Sequence, residues 1–194
     1  MLELNLAKTA VVFIDLQADI LNTAPLYPRS AQAVIAANDR LSLAFKNTAA
    51  LEVLVSVQTE TFNHLYPFPA SHRHLANHAA PQLVLPIAKD AQAANVIQVT
   101  KHNPGAFFGT DLDLQLRRQG IDTIILAGVS TSNGVYATAL DAFQYAYHVI
   151  VAEDACADRD VEKHDFFFAK MFSRIATVSS VDAIVAGFSF NKKG

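Results

Sequence analysis

The chain has 194 residues, of which 52% are hydrophobic and 17% are charged, and its formal net charge is -3 at neutral pH. This length predicts one compact domain over residues 1–194, and the hydrophobic fraction excludes a disordered chain. A single cysteine excludes an internal disulfide and a cysteine-based metal cluster. The mild negative charge argues against a dedicated nucleic-acid or membrane-surface binder.

Six short apolar runs rich in Val, Ile and Leu predict six strands. They lie at 10–14, 51–57, 95–99, 121–127, 148–152 and 175–178. Most lack polar alternation, which is typical of parallel strands buried on both faces. Helices are predicted at 30–47, 111–119, 134–147, 161–172 and 180–187. This alternation predicts an α/β fold, a three-layer α/β/α sandwich around a six-stranded, mostly parallel sheet.

The N-terminal residues carry no basic stretch before an apolar segment, so they do not resemble an export signal. Apolar runs such as 124–129 are far shorter than the roughly 20 residues of a membrane-spanning helix. We therefore expect a cytoplasmic protein.

Residues 60–93 separate the second and third predicted strands and contain four prolines, which discourage regular structure. Two interpretations stay open for this excursion: a lid or substrate loop, or a surface insertion. Its histidines are His64, His72, His74 and His78. The last two have a spacing that suits a metal on a helix, but no carboxylate lies between Thr61 and His78. We predict no metal.

Polar residues follow several predicted strands at the edge where ligands bind in a parallel sheet. Asp15 follows the first strand, Gln58 the second and Lys101 the third. Burial raises the pKa of a carboxylate at a strand tip, and a nearby ammonium opposes that effect. An Asp–Lys pair in a cleft can exchange a proton with a substrate. The alternative is that Asp15 braces the next loop and Lys101 is merely solvated.

The segment 128–134, Gly-Val-Ser-Thr-Ser-Asn-Gly, joins the fourth strand to a helix. Small residues there let backbone N–H groups at the helix N-terminus face an anion or a developing oxyanion. The segment matches neither of the glycine-rich nucleotide-binding motifs.

Several spaced motifs resemble the isochorismatase-like hydrolase superfamily, in the right order and over nearly the whole chain. They are Val11–Gln17, the stretch Thr100–Leu112 around the lysine, Gly120–Thr131, Ala137–Ala142 and Ala152–Ala157. Many members are cysteine hydrolases with an Asp–Lys–Cys triad. Asp15 and Lys101 fall on the first two positions, but Gly134 falls on the cysteine position. The only cysteine, Cys156, lies 22 residues further on and is interpreted as a small buried residue.

The resemblance to the cysteine-free isochorismatases implies acid/base hydrolysis of a small molecule. A vinyl ether such as isochorismate is one candidate substrate. It implies catalytic roles for Asp15, Lys101 and Gly134. Substrate-binding roles are implied for Gln58, Phe107, Ser130, Thr131 and Asn133. It also implies a homodimer or higher oligomer, with no cofactor. The alternatives are an amide or ester hydrolase that uses activated water, and a catalytically inactive member that acts in binding.

Overall fold

The computed structural model describes residues 2–58, 61 and 81–189. Its strands are β1 (Thr9–Ile14), β2 (Leu51–Val57), β3 (Val96–Lys101), β4 (Thr123–Val129), β5 (His148–Ala157) and β6 (Thr177–Ser179). Its helices are α1 (Ala18–Leu21), α2 (Ala31–Phe45), α3 (Leu112–Arg118), α4 (Tyr136–Gln144), α5 (Val161–Phe166) and α6 (Val181–Ser189). The predicted strands and helices are all present, most with boundaries that differ by a few residues. The helix predicted at 161–172 is divided into α5, a π-helical turn at Phe167–Met171 and a 3-10 turn at Phe172–Arg174.

The six strands form one sheet in the order β3-β2-β1-β4-β5-β6, and every neighbouring pair is parallel. The predicted α/β/α fold is therefore confirmed, and the sheet is wholly rather than mostly parallel. The chain runs outward from β1 to β3 and then returns to the other side of β1 with β4. The β1–β4 boundary is thus the switch point, where open parallel sheets form ligand crevices.

Strand β1 shows why the apolar runs lack alternation. Val11 and Phe13 pack into the core on the side of α2 and α6, whereas Val12 and Ile14 pack into the core on the side of α3 and α4. Because successive side chains of a strand point to opposite faces, a sheet covered on both faces needs apolar residues at every position. Complete burial of such a side chain contributes about 1.5–3 kcal/mol.

The helix boundaries follow local chemistry. The Ser30 hydroxyl accepts a hydrogen bond from the Ala33 N–H at 3.3 Å and begins α2, as its sequence predicts. Gly120 has φ +67° after α3, which confirms it as the stop signal. The helix predicted at 134–147 instead begins with a π-helical turn, Thr131–Val135, and α4 ends at Gln144. Within the described residues, no helix combines the length and apolar character needed to cross a bilayer.

A buried carboxylate interrupts the apolar surface of β2. Glu52 is fully buried, and its Oε2 accepts a hydrogen bond from the Ser42 hydroxyl at 2.6 Å. Oε1 is buried without a hydrogen-bond partner among the described residues. Burial raises the pKa of Glu52 to about 7, although the Ser42 hydrogen bond and the Lys46 charge oppose the shift. The folded protein therefore favours the protonated side chain.

Replacing Glu52 with glutamine is expected to flatten the pH dependence of folding stability. The folded pKa is raised above the unfolded one, so the stabilising contribution of protonated Glu52 is present at low pH and is lost as pH rises through about 7. Relative to Glu52→Gln, the wild type should lose about 3 kcal/mol of unfolding free energy as pH rises from the ordinary pKa of glutamate, 4.5, to about 7. Urea unfolding at a series of pH values measures this loss, with the exposed Glu3→Gln as control. Parallel curves for wild type and Glu52→Gln would contradict a protonated Glu52.

Candidate active site

Asp15 occupies the end of β1 at the switch point. Its backbone has φ 53°, in the left-handed region that aspartate and asparagine tolerate better than most residues. The Asp15 N–H donates to the Val55 carbonyl at 3.0 Å, which extends the β1–β2 ladder by one bond. The strand therefore delivers the carboxyl group to the crevice beyond the sheet, where the sequence predicts it.

Lys101 ends β3 and reaches across the sheet to Asp15. Its Nζ lies 2.8 Å from Asp15 Oδ2, and it also donates to the Pro104 carbonyl at 2.6 Å. The lysine side chain is 1% exposed and the aspartate side chain 10% exposed. The structure thus brings the two residues together as a buried ion pair, and excludes the alternative of a solvated Lys101.

The two oxygens of the Asp15 carboxyl group have different surroundings. Oδ2 contacts the Lys101 ammonium, whereas Oδ1 is buried without a hydrogen-bond partner among the described residues. Burial raises the pKa of Asp15 to about 6; the Lys101 charge and hydrogen bond lower it, and the Asp19 charge raises it. A carboxyl group with a pKa near neutrality can both give and take a proton at working pH.

Two glycines allow the backbone of β4 and the following turn to approach this pair closely. Gly128 has φ +117°, and a Cβ there would collide with the Ile14 carbonyl oxygen on β1. At Gly134 a Cβ would lie 2.9 Å from Lys101 Nζ and 3.0 Å from Asp15 Oδ2. Position 134 is therefore the point of α4's entry turn that faces the ion pair, and its glycine leaves no side chain there.

Two contacts from the last third of the chain hold this turn. Asp158 follows β5, and its Oδ2 accepts a hydrogen bond from the Ser132 N–H at 2.7 Å. The buried Thr131 hydroxyl lies 2.9 Å from His164 Nδ1, on α5. Burial lowers the pKa of His164, with a smaller contribution from the Arg29 charge, so the imidazole is favoured in its neutral form.

The other predicted site residues occupy different environments. Ser130 precedes the turn, and its carbonyl accepts hydrogen bonds from the Asn133 and Val135 N–H groups. Asn133 is exposed on the turn, whereas the Thr131 side chain is turned inward to His164. Gln58 is half-buried, and its N–H donates to the Lys101 carbonyl at 3.0 Å, which places it beside the end of β3.

Phe107 is not brought to the ion pair. It is 5% exposed, and its ring packs 5.3 Å from that of Tyr145 and 5.9 Å from that of Tyr147. Both tyrosines precede β5 and therefore belong to the opposite edge of the parallel sheet from Asp15. The side chain belongs to the core on the side of α3 and α4.

Cys156 lies inside β5 rather than after it, because this strand continues to Ala157. It is fully buried, and its residue is paired with Gly128 on β4. Burial raises the pKa of the Cys156 thiol to about 12, so the reactive thiolate is strongly disfavoured. The predicted interpretation as a small buried residue is confirmed.

The predicted excursion 60–93 is described only at residue 61 and from residue 81 onward. His64, His72, His74 and His78 lie outside the described residues. Among the residues that the structure does describe, no group of three or more His, Cys, Asp or Glu side chains could hold a metal ion.

Sequence reasoning missed several residues that build the site. Gln17 is fully buried, and its amide accepts a hydrogen bond from the Val57 N–H at 2.8 Å and donates to the Val57 carbonyl at 3.2 Å. It thereby joins the ends of β1 and β2. Asp158 and His164 were also missed. A polar residue within or directly after an apolar run is the available signal for Gln17 and Asp158, whereas the sequence carries no comparable signal for His164.

Fold and site together define an α/β enzyme with a buried acid–lysine pair at the switch point of its sheet. A family model described as the isochorismatase domain matches residues 9–183. YecD of Escherichia coli O157:H7, an isochorismatase family protein, is 37% identical over 191 residues, covering 95% of this chain and 98% of that protein.

Solved structures agree with this match. An isochorismatase family protein from Burkholderia thailandensis has a TM-score of 0.83 and 31% identity, covering 96% of this chain and 98% of that chain. The N-carbamoylsarcosine amidase from Thermoplasma acidophilum has a TM-score of 0.72 and 26% identity, covering 90% of this chain and 97% of that chain. The chain therefore belongs to the isochorismatase family and is a hydrolase, which confirms the family resemblance found in its sequence.

Proposed function

We propose that this protein is a cysteine-independent hydrolase of a small molecule, in which Asp15 is the general acid and base and Lys101 holds its charge. The observation that carries the proposal is the geometry at Gly134. A Cβ at that position would lie within about 3 Å of both Lys101 Nζ and Asp15 Oδ2, where a nucleophile would face the pair. Glycine supplies no nucleophile, and the only cysteine is buried on β5.

A vinyl ether is the substrate class that this arrangement suits best. Protonated Asp15 transfers its proton to the terminal vinyl carbon, and the resulting oxocarbenium ion is attacked by water. The deprotonated carboxylate then accepts a proton from the added water. Collapse of the hemiketal breaks its C–O bond to the leaving group, and the hydroxyl proton passes to the leaving oxygen, so that a ketone and an alcohol are released. Oδ1, which has no hydrogen-bond partner among the described residues, is the oxygen left for the substrate, since Oδ2 contacts Lys101. Gln58 and the exposed Asn133 orient the substrate or water.

Hydrolysis of an amide or ester by activated water is the second candidate. The similarity to N-carbamoylsarcosine amidase, which spans 90% of this chain, favours it. In this scheme ionised Asp15 removes a proton from water, and the N–H groups of the turn at 130–135 stabilise the developing oxyanion. An inactive protein that only binds its ligand is the third outcome, and the retained ion pair argues against it. A homodimer or higher oligomer remains a prediction.

Assays with the wild type and Cys156→Ala separate these possibilities. We expect pyruvate release from an enolpyruvyl ether, at rates that agree within about two-fold between the two proteins, because the buried thiol takes no part. A thiol-directed reagent should leave native activity unchanged. Ammonia release from amides without vinyl ether turnover would favour the second candidate. Loss of activity in folded Cys156→Ala would contradict a cysteine-independent mechanism. A protein that hydrolyses neither the enolpyruvyl ether nor the amides would favour binding alone.

A further inference from the structure

The hydroxyl of Thr138 bridges two parts of the active site. Thr138 lies on α4, one turn after Gly134, and is fully buried. Its Oγ1 donates a hydrogen bond to the Gly134 carbonyl at 2.7 Å and accepts one from the Ala106 N–H at 3.1 Å. The first bond is a common arrangement for threonine within a helix. The second joins residues 32 positions apart and is not required for helix formation.

Ala106 belongs to the loop that fixes the Lys101 ammonium. The Pro104 carbonyl, two residues earlier, accepts the 2.6 Å hydrogen bond from Lys101 Nζ. Between them, Gly105 packs directly on α4: a Cβ there would collide with the Asp141 carboxylate and lie 3.6 Å from the Ala137 carbonyl carbon. The loop therefore packs against α4 through close backbone contact. The Ala106 N–H donates the hydrogen bond that joins this loop to the Thr138 hydroxyl on that helix.

These contacts form a continuous path around the ion pair. Thr138 holds Ala106, the adjoining Pro104 carbonyl holds the Lys101 ammonium, and the ammonium contacts Asp15 Oδ2 at 2.8 Å. The same hydroxyl holds the Gly134 carbonyl, whose residue borders both charged groups. We propose that Thr138 is a positioning residue whose hydroxyl fixes the Pro104–Ala106 loop against Gly134 and so sets the Lys101 ammonium on Asp15.

A titration of Asp15 without any substrate tests the proposal. Asp19 and Lys101 are the charged groups that act on Asp15, and only the lysine stabilises its carboxylate. Thr138→Val keeps the side-chain shape but removes the hydroxyl. The Lys101 ammonium is then held less firmly against Asp15 Oδ2, while Asp15 stays buried. The pKa of Asp15, followed by carboxyl ¹³C NMR, should rise by about half a unit or more, roughly a three-fold change in proton affinity.

Matched variants distinguish positioning from general packing. Thr138→Ser retains the hydroxyl and should keep the Asp15 pKa near the wild-type value. Thr123→Val removes a hydroxyl at the opposite edge of the sheet and should also leave it unchanged. An unchanged Asp15 pKa in folded Thr138→Val would overturn the proposal. Should that variant fail to fold, hydrogen exchange of the wild type decides: protection of the Ala106 amide supports the bridge, and exchange at the unprotected rate overturns it.

The effect on turnover rests on the proposed function, but the titration does not. With a substrate in hand, Thr138→Val should lower kcat more than it raises KM, and Thr138→Ser should restore kcat. A shifted Asp15 pKa in a protein that hydrolyses nothing would sustain the positioning role and remove the proposed function. Hydrolysis by the wild type together with an unshifted Asp15 pKa in Thr138→Val would sustain the proposed function and remove the positioning role.

Discussion

Asp15→Asn is expected to lower kcat/KM for hydrolysis by about 10²- to 10⁴-fold, the usual contribution of a general acid or base. Asparagine tolerates the left-handed backbone that Asp15 adopts at φ 53°, so the loss will not reflect a failure to form the turn. It cannot transfer the proton to a vinyl carbon or remove one from water. Steady-state kinetics on the substrate found by the assays above, with circular dichroism to verify folding, measure the effect.

The pH profile of the wild type identifies which proton transfer Asp15 performs. If protonation of the substrate limits the rate, kcat/KM should fall as pH rises through about 6, because the acid form is lost there. If Asp15 acts first as a base, kcat/KM should rise through the same pH. The exposed Asp19→Asn is the control and should retain activity while lowering the Asp15 pKa slightly. Undiminished hydrolysis by Asp15→Asn would refute both mechanisms.

Lys101→Met is expected to destabilise the protein by about 3–5 kcal/mol at high pH, where it leaves the ionised, buried Asp15 carboxylate without its cation. Without the lysine, burial dominates and the Asp15 pKa moves further above its usual range. The destabilisation should therefore shrink as pH falls and Asp15 becomes protonated, and it should be full only above the new folded pKa. Urea unfolding at several pH values measures both effects.

A surface pair provides the matched control for this substitution. Lys8 lies 3.5 Å from Asp122, with side chains 57% and 48% exposed. Lys8→Met should cost less than about 1 kcal/mol, since solvent screens exposed pairs. The double variant Asp15→Asn/Lys101→Met should recover part of the stability lost in Lys101→Met alone, because no buried charge remains. Equal losses for Lys8→Met and Lys101→Met would show that the buried pair contributes no more than a surface pair.

The sheet was predictable because burial on both faces leaves a direct mark on the sequence. The runs that became β1 and β2 are apolar at nearly every position, and the runs of the remaining strands were located to within a few residues. The strand ends were harder to predict. β5 continues through Glu153 and Asp154 to Ala157, since its pairing with β4 resumes after an irregularity between Leu126 and Gly128. No local sequence pattern predicts that strand pairing resumes after such a bulge.

Asp15 and Lys101 were predictable because each directly follows or ends a buried strand, and parallel strands bring such residues to one edge. The residues that support them were not. Thr138, Asp158 and His164 act through partners 26 to 33 positions away. Such contacts depend on where helices settle on the sheet, and neither local propensity nor hydrophobic period specifies that. For the same reason Phe107, which follows the lysine closely in the chain, points its ring to the opposite edge.

By itself, the sequence determined the fold class, the placement of Asp15 and Lys101 at the ligand edge, and the presence of one cysteine outside the turn after the fourth strand. Only the tertiary structure decided that Gly134 borders the Asp15–Lys101 pair and that Cys156 is fully buried on β5, beside Gly128 of β4. The physical reason is that hydrophobic pattern is recorded residue by residue along the chain. Proximity and desolvation, which set the pKa of a carboxyl group or a thiol, arise only when distant segments pack together.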